Sequence, residues 1–287
     1  SRPYGPMNGA APTVPAPRAA YSRGVSILTL DSGLTMSYSD QGDPFGPVVL
    51  LVPGPTDSWR SYHPVLEHLP LAVRAISVSP RGHGDSDKPE TGYAIADFAG
   101  DVVAFLDALG IERAVLAGHS GSCLVVRRVA LDHPNRVAGL FLEASPAMLG
   151  HDAKAHDFVE SVVADLHDPI SPDLVRSFVA ATSSAKLAPE LTDLLVGEVL
   201  KVPARVWKAT FAGLLACDDM AELPLIEAPT LLVWGDADPL VSQDVQASLA
   251  RSIPHAELVV YPGVGHTPRW EDPARFAGDL AAFVQRV

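Results

Sequence analysis

A serine and a histidine stand in this sequence where they could act together on a carbonyl group. Ser120 follows an apolar run and has small residues two positions before and after it, Gly118 and Ser122. His266 follows another apolar run. A serine hydroxyl is a weak nucleophile until a neighbouring base takes its proton, and a neutral imidazole suits that task near pH 7. The pair therefore predicts nucleophilic catalysis by Ser120.

This chemistry also needs a carboxylate, because a carboxylate holds the imidazole in the right tautomer and stabilises the imidazolium that forms. Asp236 and Asp238 both follow the apolar run that ends at Trp234, between Ser120 and His266 in the chain. The order of the three groups is therefore serine, acid, histidine, and on the residues alone either aspartate supplies it.

The segments on either side of Ser120 predict the structure that would position it. Residues 113–117 end an apolar segment typical of a buried parallel strand, and the residues after the serine have the pattern of an amphipathic helix that ends before Pro134. A serine in so sharp a turn has a strained backbone, so its neighbours two positions away must be small. The start of the helix would offer backbone N–H groups to an anion.

Strand and helix patterns alternate along most of the chain. Such alternation indicates an α/β fold with a mostly parallel sheet covered by helices on both faces. Ligands bind at the carboxyl ends of parallel strands, so the serine, the acid and the histidine are expected to meet there. The predicted strands are 25–31, 34–39, 48–52, 73–78, 113–117, 137–142, 230–234 and 256–261. The predicted helices of this part are 63–69, 95–109, one after Ser120, 241–253, and one from residue 272 to the C-terminus.

The alternation stops at Pro146, and from there to about Ile226 the sequence has only helical patterns. Three of these helical stretches have proline in the first turn: Pro172, Pro189 and Pro203. We therefore predict a helical cap inserted into the α/β core. The predicted division is 25–145 and 228–287 for the core and 146–227 for the cap.

Composition and charge exclude several classes of function. The 287 residues are 47% hydrophobic and 19% charged, which is typical of a globular protein with a large core. The formal net charge of −13 opposes binding to nucleic acid or anionic lipid. The chain has 2 cysteines, too few for a disulfide framework. No apolar run approaches the roughly 18 residues that a membrane helix needs. We expect a cytoplasmic monomer or homodimer without nucleic-acid or membrane partners.

The N-terminal residues 1–24 are rich in proline and alanine and are expected to be a disordered or processed tail. Secretion with a removed signal peptide is the alternative to a cytoplasmic location. The histidines of the predicted cap, His151, His156 and His167, lack the supporting cysteines or carboxylates of a metal site. No metal and no other cofactor is therefore expected.

Several motifs together resemble those of the α/β-hydrolase superfamily, over about residues 25 to 287. They are Gly118-His119-Ser120-Gly121-Ser122, Gly235-Asp236-Ala237-Asp238, Gly265-His266 and Arg81-Gly82-His83-Gly84-Asp85-Ser86. Carried over position by position, the family pattern implies that Ser120 is the nucleophile, Asp238 the acid and His266 the base. Asp236 then becomes a turn or hydrogen-bonding residue.

The chain departs from the family pattern in the loop that helps to hold the oxyanion. The resemblance implies two N–H donors, one from Gly121 and one from the loop after the strand 48–52. That loop contains Gly54, Pro55 and Thr56, and Pro55 has no N–H to donate. Loss of one donor typically lowers the rate about 100- to 1,000-fold. Either Thr56 supplies a substitute through its N–H or its hydroxyl, or the chemistry is not ordinary ester hydrolysis, and we expect the substitution by Thr56.

Glu143 directly follows the predicted strand 137–142. Some superfamily members, similar to the zearalenone lactonases and certain cofactor-free dioxygenases, supply the triad carboxylate from this position. Because Asp238 is present, we expect Glu143 to be a pocket wall or a second acid. Trp59 and Trp207 are expected either to shape an apolar pocket or to belong to the core.

The resemblance implies a serine hydrolase that acts on a small, largely apolar carboxylic ester or lactone. One alternative is a C–C bond hydrolase of the same fold, acting on a diketone-like substrate. The other is a small-molecule receptor similar to the karrikin and strigolactone receptors, which keep a triad but turn over slowly. Multiple turnovers separate the enzymes from the receptor.

Overall fold

The computed structural model describes residues 25–287, and the predicted tail lies outside the described residues. A sheet of 8 strands runs through the described chain, in the spatial order β1-β2-β4-β3-β5-β6-β7-β8. The strands are β1 (Ser26–Thr29), β2 (Thr35–Gln41), β3 (Val48–Val52), β4 (Arg74–Val78), β5 (Ala114–His119), β6 (Val137–Glu143), β7 (Thr230–Gly235) and β8 (Ala256–Tyr261).

All strands from β3 to β8 are parallel to their neighbours within that set. The two antiparallel pairs of this sheet are β1 with β2 and β2 with β4. The α/β fold with a mostly parallel sheet, predicted from the alternation, is thus confirmed. Parallel strands end at one edge of a sheet, which brings together the loops that follow Val52, His119, Glu143, Gly235 and Tyr261.

Helices cover both faces of this sheet. The α-helices of residues 25–287 are α1 (His63–Leu66), α2 (Ile95–Ala108), α3 (Ser122–Asp132), α4 (Ala153–Phe158), α5 (Pro172–Ala181), α6 (Pro189–Val199), α7 (Ala204–Leu215), α8 (Gln243–Ser252), α9 (Pro268–Glu271) and α10 (Pro273–Arg286). None of these helices has the length and the apolar character that a bilayer-crossing segment requires.

Alternate residues of a central strand pack into different cores. Leu50 of β3 packs in the cluster that contains residues of α2 and α3, whereas Leu51 packs in the cluster of α1 and α10. Side chains of successive strand residues point to opposite faces, so a strand that is buried on both faces is apolar throughout. The sequence of β3, VVLLV, meets this requirement.

Four helices, α4 to α7, lie between β6 and β7, and we call residues 146–227 the inserted segment. Pro172 and Pro189 begin α5 and α6, whereas Pro203 caps α7 from the preceding position. A π-helical turn, Val159–Val163, continues α4. Aromatic side chains from α4, α5 and α7 pack on one another with ring centres 5.1 to 6.0 Å apart.

Both junctions of the inserted segment contact one buried arginine of α3. Arg127 donates to the carbonyl oxygens of Pro146 and Ala147, each at 2.8 Å, where the segment begins. It also binds both carboxylate oxygens of Asp219, at 2.7 and 2.9 Å, where the segment returns toward β7. The helix that starts at the Ser120 turn therefore also fixes the base of the inserted segment.

Candidate active site

Ser120 occupies the tight turn between β5 and α3. Its φ of 50° lies in the left-handed region that residues other than glycine rarely adopt. A β-carbon on Gly118 would lie 2.8 Å from the carbonyl oxygen of Ser122, so this position has no room for a side chain. The N–H of Ser120 donates to the carbonyl oxygen of Glu143 at 2.9 Å, which ties the turn to the end of β6. Strain of this kind occurs mostly at functional positions.

Ser122 stands where the G-x-S-x-G pattern has its second glycine. Its hydroxyl donates to the carbonyl oxygen of Pro53 at 2.6 Å. Pro53 begins the loop after β3, so this hydrogen bond joins the Ser120 turn to the loop that is expected to help hold an oxyanion. A small residue is needed at this position, and the hydrogen bond gives a reason for a hydroxyl.

Three side chains from three loops form one hydrogen-bonded chain. His266 Nε2 lies 2.9 Å from Ser120 Oγ, and His266 Nδ1 lies 2.8 Å from Asp238 Oδ2. Asp238 Oδ1 accepts the backbone N–H groups of Leu240 and Val241 at 2.8 and 3.0 Å, which fixes the orientation of the carboxylate. The side chains of His266 and Asp238 are 3% and 0% exposed, so bulk water competes little for these contacts.

Asp236, the other aspartate after β7, has a different partner. Its Oδ1 accepts the backbone N–H of Gly263 at 2.6 Å and so joins the loop after β7 to the loop after β8. The structure therefore brings Asp238 to His266 and gives Asp236 the part of a loop-bridging residue.

His119, which precedes Ser120, supports the loop that carries His266. Its Nε2 lies 3.1 Å from the carbonyl oxygen of His266, so this nitrogen carries the proton. Burial lowers the pKa of His119 well below its ordinary value of 6.5, and the ring is neutral at pH 7. A β-carbon on Gly54 would lie 2.4 Å from His119 Nδ1, so the expected oxyanion-loop residue Gly54 serves here as a packing site.

The loop after β3 places its residues unequally around the site. Pro55 borders the cavity that lies against Ser120. It also packs closely on Gly121, because a β-carbon on Gly121 would lie 2.8 Å from Pro55 Cγ. Thr56 has a φ of 75° and is fully buried, and its hydroxyl has no partner within residues 25–287. Thr56 does not border the cavity, so its hydroxyl does not reach the expected oxyanion position in this conformation.

A buried ion cluster lies next to these groups, and Glu143 belongs to it. Glu143 Oε1 accepts the backbone N–H and a guanidinium N–H of Arg269 at 3.0 and 3.3 Å. The same guanidinium donates to Asp57 Oδ2 at 2.7 Å and to Ser61 Oγ at 3.0 Å. Burial raises the pKa of both carboxyl groups, and the charge of Arg269 opposes this effect.

Sequence reasoning found Glu143 but missed Asp57 and Arg269. Asp57 directly follows the unusual Pro55-Thr56 pair, and Arg269 lies three residues after His266. Their positions next to the oxyanion loop and the His266 motif could have drawn attention to them. The sequence does not show that an arginine is buried, however, because burial of an arginine leaves no local pattern. No group of His, Cys, Asp or Glu suited to hold a metal ion occurs in the described part of the chain.

A cavity of about 250 Å³ lies against Ser120 and His266. Its walls are mostly apolar and come largely from the inserted segment: Leu149, Phe158, Phe178, Val179, Phe211 and Leu214. Trp207 stacks behind Phe211, with ring centres 6.0 Å apart, and Trp59 lies beneath the guanidinium of Arg60. Neither tryptophan borders the cavity. Both side chains are almost fully buried, so the structure supports the core alternative for them and not the pocket expectation.

The same arrangement of strands and loops occurs in known proteins. The 2-(acetamidomethylene)succinate hydrolase of Mesorhizobium japonicum is 29% identical over 251 residues, covering 81% of this chain and 85% of that protein. An esterase structure from Rhodococcus sp. matches with a TM-score of 0.79 at 28% identity, over 91% of this chain and 98% of its own. The structure of an N-acyl homoserine lactone degrading enzyme matches with a TM-score of 0.77 at 30% identity, over 90% and 100%.

A family model for the alpha/beta hydrolase fold matches residues 47–273. The matched range begins before β3 and ends in the first turn of α10, so it includes Ser120, Asp238 and His266 and every loop at the carboxyl edge of the sheet. The chain therefore belongs to the alpha/beta hydrolase fold family.

Proposed function

We propose that the protein is a serine hydrolase that cleaves a small, largely apolar carboxylic ester or lactone through an acyl-enzyme on Ser120. The hydrogen-bonded chain from Ser120 through His266 to Asp238, beside an apolar cavity, is the observation that supports this proposal most. It supplies a nucleophile, a base and a carboxylate that orients the base.

In the proposed mechanism, His266 Nε2 takes the hydroxyl proton as Ser120 Oγ attacks the carbonyl carbon. Asp238 accepts the Nδ1 proton in a hydrogen bond and stabilises the imidazolium. His266 then gives the proton to the leaving alkoxide oxygen, which departs as the alcohol and leaves the acyl group on Ser120. Water attacks the acyl-enzyme by the same route, with His266 first as base and then as acid toward Ser120.

The oxyanion needs backbone donors beside Ser120. We assign the first to the N–H of Gly121, which no described hydrogen bond uses. We assign the second to Thr56, which requires a local shift of its loop on substrate binding. Pro55→Gly would add an N–H at the adjacent position. If that missing donor limits the reaction, kcat should rise by up to about 100-fold; an unchanged kcat would mean that another group already supplies the second donor.

The cavity walls support the proposed substrate class. Phenylalanine and leucine side chains surround most of the volume beside Ser120, which favours an apolar acyl or alcohol group over a charged one. The similarity to an esterase and to a lactone-degrading enzyme supports an ester or a lactone. We also propose that the inserted segment acts as the cap of this site over a core made of residues 25–145 and 228–287.

Steady-state hydrolysis of p-nitrophenyl butyrate tests the proposal. The wild-type protein should turn over many times, and Ser120→Ala should lower kcat by at least about 10⁴-fold. Ser161→Ala, on the surface of the inserted segment, is the matched control and should keep wild-type rates. A Ser120 that reacts with a fluorophosphonate in a protein that turns over no ester would contradict the proposal and favour a receptor.

A further inference from the structure

The cavity wall beside the proposed triad contains a carboxyl group that the mechanism above does not use. Asp57 borders the same cavity as Ser120 and His266 and is 6% exposed. A carboxyl group in an otherwise apolar wall is costly unless something stabilises it, because burial disfavours its charge. The surroundings of Asp57 therefore need an explanation.

One oxygen of Asp57 is fully occupied by the protein. Oδ2 accepts the hydroxyl of Ser61 at 2.9 Å and a guanidinium N–H of Arg269 at 2.7 Å. Neither Ser61 nor Arg269 borders the cavity. Oδ2 is thus directed away from the space in which a substrate would lie.

The other oxygen, Oδ1, has no hydrogen-bond partner among residues 25–287. Glu143 Oε2 also lacks a partner in this range, but it is fully enclosed, whereas Asp57 Oδ1 is not. Oδ1 therefore retains accessible surface, and the cavity is the space that Asp57 borders. The two carboxylates that bind Arg269 thus differ. The unpartnered oxygen of Glu143 is fully enclosed by protein, and that of Asp57 is accessible.

The two donors on Oδ2 favour the ionised form of Asp57. Burial raises the pKa of Asp57, while Arg269 and Ser61 act in the opposite direction. A carboxylate held on one side by a charged donor presents a strong acceptor on the other side.

Several other polar side chains in the cavity wall already have partners in the protein. Thr182 Oγ1 donates to the carbonyl oxygen of Val179 at 2.8 Å. Thr267 Oγ1 bonds to Ser183 Oγ at 2.7 Å, and Lys154 Nζ donates to the carbonyl oxygen of Pro239 at 3.1 Å.

The other carboxylate of the wall, Asp152, belongs to the inserted segment and accepts the N–H of Ala155 at 2.9 Å through Oδ1. Asp57 instead lies two residues after Pro55, which borders the cavity together with Ser120. A substrate donor close to the scissile carbonyl would therefore find its acceptor at Asp57.

We propose that Asp57 Oδ1 accepts a hydrogen bond from a hydroxyl or amide N–H of the substrate, close to the scissile carbonyl. The preferred substrates are then esters or lactones that carry such a donor on an otherwise apolar acyl group. This inference rests on the proposed hydrolase function and narrows its substrate class. Asp57 is a specificity-determining residue, and Arg269 and Ser61 position it.

Two matched esters test the proposal: p-nitrophenyl 3-hydroxybutyrate and its methyl ether, p-nitrophenyl 3-methoxybutyrate. The ether keeps the oxygen but has no proton to donate. Wild-type kcat/KM should be about 10- to 100-fold higher for the hydroxy ester, the range expected for a hydrogen bond to a charged group. A ratio near 1 would overturn the proposal.

Asp57→Asn separates recognition from structure. Arg269 and Ser61 both donate, so the amide oxygen of the variant must face them and its NH₂ group must face the cavity. The variant thus replaces an acceptor by a donor, and the preference for the hydroxy ester should fall to about 3-fold or less. Ser161→Ala, on the surface of the inserted segment, is the control and should keep the wild-type preference. Equal losses on both esters in Asp57→Asn would show a purely structural role and overturn the proposal.

A binding measurement keeps this inference separate from the proposed function. If the protein hydrolyses neither ester, the hydrolase proposal fails. Calorimetry on Ser120→Ala with N-benzyl-3-hydroxybutanamide and its methyl ether then decides the inference without turnover. Tighter binding of the hydroxy amide that Asp57→Asn abolishes would support it, and equal binding of the two amides would overturn it.

Discussion

Arg127 and Arg269 are both fully buried, but the two arginines have different partners. Arg127 binds one carboxylate, Asp219, through two hydrogen bonds, and its remaining N–H groups reach neutral oxygens at the base of the inserted segment. Arg269 divides its N–H groups between two carboxylates, Asp57 and Glu143. One cluster is balanced in charge, and the other has two acids for one base.

The difference separates a structural cluster from one that borders a site. In the Arg127 cluster both oxygens of Asp219 accept hydrogen bonds from the arginine, so the pair has no free acceptor for a ligand. The Arg269 cluster leaves one oxygen of each carboxylate without a protein partner, and that of Asp57 belongs to a residue of the cavity wall. An excess of buried acceptors beside the proposed nucleophile, Ser120, is a stronger indication of substrate recognition than a buried charge alone.

Arg269→Met should give the largest effect, because it leaves two buried carboxyl groups without their cation. We expect a loss of about 5 kcal/mol in the free energy of unfolding at pH 7, the upper end for breaking a buried ion pair. Urea unfolding measures it. Recovery should require both Asp57→Asn and Glu143→Gln in the same chain. Full recovery by either substitution alone would mean that only one of the two carboxyl groups carries charge.

Arg127→Met should cost somewhat less, about 3–4 kcal/mol, since it strands only Asp219. In this cluster one further change, Asp219→Leu, should restore most of the stability, because replacing a whole buried pair by apolar groups is often neutral. The same urea experiment applies. Failure of the double variant to recover would show that the neutral contacts to Pro146 and Ala147 contribute more than the ion pair.

Glu143→Gln should change how stability depends on pH. Burial raises the pKa of Glu143 above its ordinary value of 4.5, so above pH 4.5 this carboxyl group binds more protons in the folded state than in the unfolded state, and its contribution to stability falls as pH rises. Glutamine does not titrate. The stability of the variant relative to wild type should therefore increase with pH, by up to about 1 kcal/mol per unit. Unfolding curves from pH 4.5 to 8 check this, and a difference that is constant with pH would contradict it.

We expect the smallest effects on stability from the serines that contact the two arginines. Ser61 contacts Arg269 at 3.0 Å and Asp57 at 2.9 Å, whereas Ser145 lies 3.3 Å from Arg127. Ser61→Ala should cost about 1–2 kcal/mol and Ser145→Ala less than about 1 kcal/mol. Thermal unfolding of the two variants side by side measures the difference. A larger loss for Ser145→Ala would reverse the ranking of the two clusters.

The sequence predicts those features that depend on local pattern. The strand before Ser120 and the helix after it follow from apolar periodicity, and the parallel sheet follows from the alternation. Strand β8 has the predicted bounds, 256–261. The predicted helix 63–69 is instead shorter, since α1 ends at Leu66, and a 3₁₀ turn, Trp59–Tyr62, directly precedes it.

Features that depend on distant contacts were not predictable in this way. Asp57 and Arg269 are 212 residues apart in sequence, and only the folded sheet brings them together. Trp207 illustrates a second limit, because helical periodicity identifies an apolar residue but does not tell whether it faces a cavity or lies behind its wall. The role proposed for Asp57 could therefore come only from the structure.

The contacts of Arg127 also suggest how the enzyme could be rebuilt. The chain leaves the sheet region at Pro146 and Ala147 and comes back at Asp219, and a single guanidinium holds both crossings. The inserted segment could therefore be exchanged at this junction for the corresponding segment of a related protein. A donor sequence that replaces residues 148–218 would keep every partner of Arg127, so a new inserted segment could be joined to an unchanged sheet and its flanking helices.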